Sequence, residues 1–446
     1  MSQQSAPGTL SAGIARADIT PPVGIKSAGF AARGPLTRLH DPLLATALVL
    51  GDGDRRAALV SCDLLGLDAD TVAEVRSEAE RRVGLAPGCI TVACTHTHYG
   101  PDPYRDTSDP LVVAYRGNLI HVLGGVLAEA AANLQPVGMS LGWGRSGIGI
   151  NRREKLPDGR IILGHNPTGP NDEAVGVVRV DRSDGAPLAC VINFQTHPVS
   201  QGGRVDHISA DYPGAMRQVV ESLTGARCLF LQGACGNINA RIMEPTYESA
   251  RTLGVQLGCE VVRVWETLGS MGSFKPQPVS GLDVGNKPVD LPRIRYGSLD
   301  EAQKLVQTLE QDLRKYRAEA AADSRAQWAE RRLQQACQAV ESWTTGVPAP
   351  PVTAELQAWR VGEWALVTAP GEVFNEIGAR VKAASPFRHT FFVGYANGSI
   401  GYVPVPEAYA EGGYEVLHAS QVDPGAAGIL EEGCAQLLGQ LAHAGA

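Results

Sequence analysis

Short apolar runs alternate along this chain with segments whose apolar residues recur at helical spacing. RRAALVSCDLLGL (55–67) predicts a strand, and DADTVAEVRSEAERRVG (68–84) predicts the helix after it. The pattern repeats with GCITVACTHTH (88–98), then LVVAYRGNLIHVLGGVLAEAAANL (111–134), an amphipathic helix. Strands and turns are expected over 139–193, and PLACVINFQTHPVS (187–200) and CLFLQGACGNIN (228–239) each read as an apolar strand running into a polar loop. Helices are predicted over 246–269, 298–343, 373–384 and 425–443, with strand-like runs at 359–372 and 389–404. Such alternation predicts an α/β fold, with mixed β-sheets flanked by helices.

The 298–343 segment opens on a capping box, Ser298 to Glu301, and is so polar that it predicts a solvent-facing helical hairpin. GSMGSFKPQPVSG (269–281) and TTGVPAPPVT (344–353) read as loops or weak linkers, too short to mark a boundary. No internal repeat is evident, and one domain spanning 1–446 is expected.

Composition narrows the function. The chain has 446 residues, 19% of them charged, and a net charge of −8, which argues against nucleic acid or anionic membrane as the main partner. The N-terminus lacks the basic start and apolar core of a secretory signal. No stretch reads as the roughly 18 apolar residues of a membrane span, so no stable membrane anchor is expected. The nine cysteines are odd in number and show no CxxC pair, which fits reduced thiols in a cytoplasmic protein.

Candidate chemistry sits where the apolar runs end. Asp63, His96 with His98, His197, the stretch Gly233 to Asn239, and Glu372 all fall there, and α/β proteins bind ligands at the carboxyl ends of strands. If the first run continues as a strand, His96 and His98 face one side of it. His197 closes a second run, and Glu372 stands at the apparent start of a helix, where free N–H groups favour an anion. Two imidazoles and a carboxylate form a hydrolytic zinc set with an open position for water. Each has a plainer reading: a buried polar strand end, or a helix-start carboxylate. Asp211 is either a carboxylate orienting an imidazole or a helix cap. His165 reads as scaffolding in a turn-rich loop, and His40, Asp41 and His207 are further candidates. Cys235 with His197 as base is a weaker nucleophile reading, and no GxSxG elbow is present. The GACGNIN stretch reads better as a loop whose backbone lies close to the substrate.

These motifs together resemble the catalytic region of the neutral/alkaline ceramidase family, zinc-dependent amidases that split the N-acyl bond of ceramide. GIARADITPP, LHDPLLATALVL, LVSCDLLGL, THTHYGP, GINRRE, NFQTHPVS with SADYPG, FLQGACGNIN, APGE and YANGSIGYVPVPEAYAEGGYE follow in order along nearly the whole chain. The resemblance implies that His96, His197, Glu372 and Tyr402 bind Zn2+. It implies that His98, Arg152 and Tyr414 bind the scissile carbonyl and its developing oxyanion, with Arg153 the rival of Arg152. Tyr99, Gly233, Cys235 and Gly236 are expected to shape the substrate pocket. The family carries a GDVSPN-like motif with an active-site serine; here Gly236 stands nearest that serine, which points to a substrate other than, or not restricted to, ceramide. The family also continues into a C-terminal immunoglobulin-like domain, so a single module is expected here.

The expected activity is zinc-dependent hydrolysis of a carboxamide in a small-molecule amide or ester substrate. A metallo-esterase or lactonase using the same residues, a two-His, one-carboxylate iron oxygenase and a non-catalytic metal-containing binding protein are the alternatives. Oligomeric state is left open.

Overall fold

The computed structural model describes residues 10–105, 108–270, 281–319 and 324–444. The linker expected over 269–281 lies almost wholly outside them. The backbone builds an eight-stranded mixed sheet in the order Arg227–Gln232, Pro187–Phe194, Ala174–Arg182, Gln135–Arg145, Ser11–Asp18, Leu44–Asp52, Arg55–Cys62 and Ile90–Cys94. A second sheet of four strands is ordered Leu282–Leu291, Val352–Val361, Trp364–Thr368 and His389–Val393. Adjacent strands are parallel at both edges of the large sheet and at the end of the small one.

Strand periodicity explains how the sheets stack. Leu48, Leu50, Ala57 and Leu59 face inward and share a core with Trp359, Leu366 and Phe391 of the small sheet. Their neighbours Val49, Ala58 and Val60 face outward under the helices Ala69–Val83 and Pro110–Ala132. Beyond the small sheet, Leu356 and Val367 meet Ile377, Leu430 and Leu437 of the helices Asn375–Ala383 and Ala426–Ala444. The result is four layers, helices outside and two sheets within, the central strands burying both faces by their period of two.

Pro110–Ala132 is, by length and composition, apolar enough to cross a membrane, contrary to the sequence reading. Its Val112, Leu119, Leu123 and Leu127 are buried against the sheet.

Three other expectations change. The first candidate strand stops at Cys94, so neither His96 nor His98 lies on it. His165 belongs to a strand, Ile161–Asn166, rather than a loop. The polar hairpin forms as Leu299–Glu319 and Arg325–Thr345, but its second helix is not simply solvent-facing. Buried Arg332 donates to the carbonyls of Leu417 and Ser420, tying that helix to the turn that follows Tyr414.

The sheet edges converge through a buried amide. Gln232 Nε2 donates to the Thr95 carbonyl at 3.1 Å and the Thr196 carbonyl at 2.8 Å, while its Oε1 accepts the Thr196 N–H at 3.2 Å. The segment after His389–Val393 fills the remaining gap. Gly394 N–H donates to the Gln232 carbonyl, and Cys94 N–H donates to Tyr395, each at 3.0 Å. Strand-end carbonyls that no ladder can satisfy are thus paired by one side chain and one crossing segment.

Gln232→Ala leaves the Thr95 carbonyl and the Thr196 N–H unpaired in the interior, at a cost of ~2–4 kcal/mol. Urea unfolding should read that loss; a change below about 0.5 kcal/mol, the range of an ordinary surface substitution, would mean the amide is not the clamp.

Candidate metal and active site

His96 and His197 each follow a parallel strand by two or three residues, beyond Cys94 and Phe194. His96 takes a left-handed backbone, φ 67°, an unusual conformation for a non-glycine residue. Its N–H donates to the Leu64 carbonyl at 2.9 Å, and its Nδ1 lies 2.7 Å from the Leu65 carbonyl. The ring stacks on Tyr395 with centroids 3.9 Å apart. His197 is anchored alike, with Nδ1 2.7 Å from the Cys235 carbonyl. A carbonyl oxygen only accepts, so both Nδ1 atoms carry their protons and both Nε2 atoms present lone pairs.

Those lone pairs meet a carboxylate. His96 Nε2 and His197 Nε2 lie 3.3 and 3.2 Å from Glu372 Oε2. Burial, with Arg152 nearby, pushes His197 down to about 4, so it stays uncharged at neutral pH. Two imidazole nitrogens and a carboxylate oxygen thus converge on one enclosed point, each with a lone pair to offer a cation. The donor set therefore fits a metal ion, and it is of the type that suits zinc.

Glu372 is not at a helix start, as expected, because the helix begins at Asn375. It sits in a two-residue strand paired in parallel with Tyr402, which places the two side chains together. The Tyr402 hydroxyl lies 3.5 Å from His197 Nε2. Burial pushes its phenol well up, with Arg152 opposing.

His98 differs from the other two histidines. Its Nε2 is 3.2 Å from His96 Nε2, but its Nδ1 is buried with no hydrogen-bond partner. Gly29, at φ 87°, packs so closely there that a Cβ would fall 2.4 Å from this nitrogen. The one hydrogen bond open to the ring puts its proton on Nε2, facing the lone pair of His96. Burial, then His96 and His197, lower its pKa well below the usual value, leaving a neutral N–H donor. The three histidines alone bring ligand atoms within 4.8 Å of one another. The proton pattern separates two anchored acceptors from one unanchored donor.

Arg152 and Arg153 part company in the same way. Arg152 donates from Nη2 to the Tyr402 hydroxyl at 3.0 Å, from Nη1 to Asn239 Oδ1 at 3.1 Å, and from Nε to Glu415 at 2.8 Å. Arg153 turns away to Glu415 Oε2, Glu411 and the Gly412 carbonyl. Glu415, fully buried, bridges the two guanidiniums. Tyr414 stands at the rim, 38% exposed, its ring 5.9 Å from that of Tyr402.

The four residues expected to shape the pocket lie behind these groups. Tyr99 is wholly buried, and its hydroxyl accepts the Gln201 N–H at 2.9 Å. The Cys235 thiol is enclosed 3.0 Å from the Tyr395 hydroxyl, and burial raises its pKa far above the usual thiol value. A Cβ on Gly236 would meet the Glu372 carbonyl at 2.5 Å, so this glycine admits the strand that carries Glu372. Gly233 packs against Gln195 in the same manner.

Other candidates are structural. Asp63 pairs with Arg217 at 2.8 Å. Asp211 caps Ser200 and Tyr212 and touches no imidazole. His40 pairs with Asp41, and His207 bonds Gln201. Sequence reasoning missed Tyr395, Glu415 and Gln232, and gave Asn239 only as the end of a candidate stretch. Glu415 adjoins Tyr414, but nothing in its spacing announces a partner 263 residues away.

His96→Ala and His197→Ala should each abolish stoichiometric metal in elemental analysis of the purified protein, and His98→Ala should retain it. Loss of the metal in His98→Ala would show instead that three histidines form the ligand set.

No protein-family model matches the chain, and no curated protein matches it by sequence. Among solved structures it is similar to neutral ceramidase from Pseudomonas aeruginosa, at a TM-score of 0.73 and 20% identity, over 98% of this chain and 75% of that one. A ceramidase complexed with C2 matches with the same TM-score and identity, over 98% of this chain and 76% of that one. The four-layer arrangement of mixed sheets and helices in this chain is therefore the neutral ceramidase fold.

Proposed function

We propose that the protein is a zinc-dependent hydrolase that cleaves the carboxamide bond of a small molecule. One observation carries this reading: anchored His96 and His197 present lone pairs to Glu372, with Tyr402 alongside and donors on the open side. The fold shared with neutral ceramidase supports it. The substrate is other than, or not restricted to, ceramide.

His96, His197, Glu372 and Tyr402 would hold the ion, which when bound supplies Lewis acidity and brings the pKa of a water near neutrality. The protein's own groups do the rest. The His98 Nε2–H and the Tyr414 hydroxyl donate to the scissile carbonyl oxygen, where negative charge grows as water adds to the carbon. Arg152 holds the Tyr402 oxygen in place and brings positive charge to the same wall. Its own position is set by Glu415, so little reorganisation accompanies the reaction. The C–N bond then breaks; the departing nitrogen takes a proton from His98 or Tyr414, and the proton given up by the attacking water restores that donor. The enclosed Cys235 thiol plays no nucleophilic part. All nine cysteines are free thiols, which supports a cytoplasmic setting as part of this proposal.

Metal-loaded wild type should turn over a panel of simple N-acyl amines, and metal-free His96→Ala should not. Tyr414→Phe should lower kcat by about 10²-fold with the metal retained, as removal of an oxyanion donor does. Full activity in metal-free His96→Ala would sink the mechanism. Turnover of matched esters alone would replace the amidase by an esterase.

A further inference from the structure

The mouth of the site carries positive charge that the hydrolytic step leaves unused. Arg105 lines the cavity that reaches His96 and Glu372, together with Gly66, Tyr395 and Ser399. Its side chain is 30% exposed and meets a carboxylate, Asp102, at 3.3 Å. A guanidinium has five N–H donors, so this long contact leaves most of them for another acceptor.

The neighbouring groups are also donors. Arg105 lies over the Tyr104 ring, 5.2 Å from its centroid. The Tyr104 hydroxyl is enclosed without a hydrogen bond of good geometry. It borders the same wall, where a methyl on Gly66 would lie 3.8 Å from it and 3.9 Å from the Ser399 hydroxyl. Arg331, on the helix Arg325–Thr345, brings a second guanidinium into the electrostatic field of Arg105 and Asp102. Arg331 is exposed and, among the described residues, makes no hydrogen bond or ion pair. Two cations and a hydroxyl donor thus meet at Asp102, with Glu330 a further carboxylate in the field of Arg331 and Glu372 in that of Arg105. Arg105 shares the cavity wall with His96 and Glu372, the groups that would act on the amide.

We propose that Arg105 and Arg331, with the Tyr104 hydroxyl, bind a carboxylate a few bonds from the scissile amide, making N-acyl amino acids the substrate class. The inference rests on the hydrolase reading for the position of the scissile bond. A neutral N-acyl lipid would bring hydrocarbon against these guanidiniums and add no acceptor beyond Asp102, which is costly. A carboxylate satisfies them in the bidentate geometry that suits arginine. The polar hairpin then contributes to specificity, through Arg331.

The test compares N-benzoylglycine with N-benzoylethanolamine, which differ at the charged group, using the metal-loaded full chain at low salt. Turnover and calorimetric binding are measured for wild type, Arg105→Ala and Arg331→Glu, with metal content checked in each. Wild type should favour the acid by at least about tenfold, mainly through KM and Kd. Both variants should lose most of that preference, and added salt should weaken it in wild type. Arg331 is exposed, so its reversal keeps the test open if Arg105→Ala does not fold. Equal use of the two probes by wild type, or a preference that survives in every variant that folds, overturns the proposal. If the acid binds through Arg105 yet neither probe is cleaved, the hydrolase reading fails and the carboxylate site stands. If both are cleaved equally, the reverse holds.

Discussion

The buried Gln232 amide is the interaction on which the site depends. Parallel strands that end inside a protein leave carbonyls and N–H groups that the ladder no longer pairs. In this fold those groups belong to Thr95 and Thr196, the residues directly before His96 and His197. One side chain with both a donor and an acceptor, on one edge strand, satisfies the end of the opposite edge strand and that of its own neighbour. The distance between the two imidazoles is thereby set by the main chain rather than by side-chain rotamers. That suits a metal site, where displacements of a few tenths of an ångström decide affinity.

Charge is arranged with the same economy. Enclosed guanidiniums are tolerated only when paired and hydrogen-bonded. Glu415 meets that requirement for Arg152 and Arg153 at once, with Asn239 and Tyr402 completing the pairing of Arg152. The helix Arg325–Thr345 secures the following turn through Arg332, which bonds the Leu417 and Ser420 carbonyls. A surface element is thus connected through three links to the tyrosine beside the histidines. Its polar sequence concealed that role, because the residue that matters is one inward-facing arginine, Arg332, among many solvated charges.

The glycines around the site act by what they make room for. Gly29 lets the loop press against His98, and Gly236 lets the strand bearing Glu372 cross behind His197. A reading of GACGNIN as a substrate-facing loop found the right place and a different reason. The glycine admits protein backbone, and that backbone carries Glu372.

Much was legible in the chain itself. Periodicity located the long helices, because an apolar stripe at helical spacing is a local property, and the apolar runs located most strands of both sheets. The polar clusters at their ends marked the neighbourhood of the site, since a strand that buries both faces can become polar only where it stops. The ordered motifs pointed to the neutral ceramidase fold despite low identity. Tertiary structure alone decided the rest. Whether His98 is a ligand or a donor depends on which carbonyls anchor Nδ1 in its neighbours, and those carbonyls come from other segments. Arg152 rather than Arg153 faces Tyr402 because of a glutamate more than 260 residues away. Glu372 meets Tyr402 through a two-residue strand too short to leave a pattern. Local sequence specifies which face of an element is apolar; it holds no record of which distant polar atom completes a buried group, and that completion is what turns these strand ends into a site.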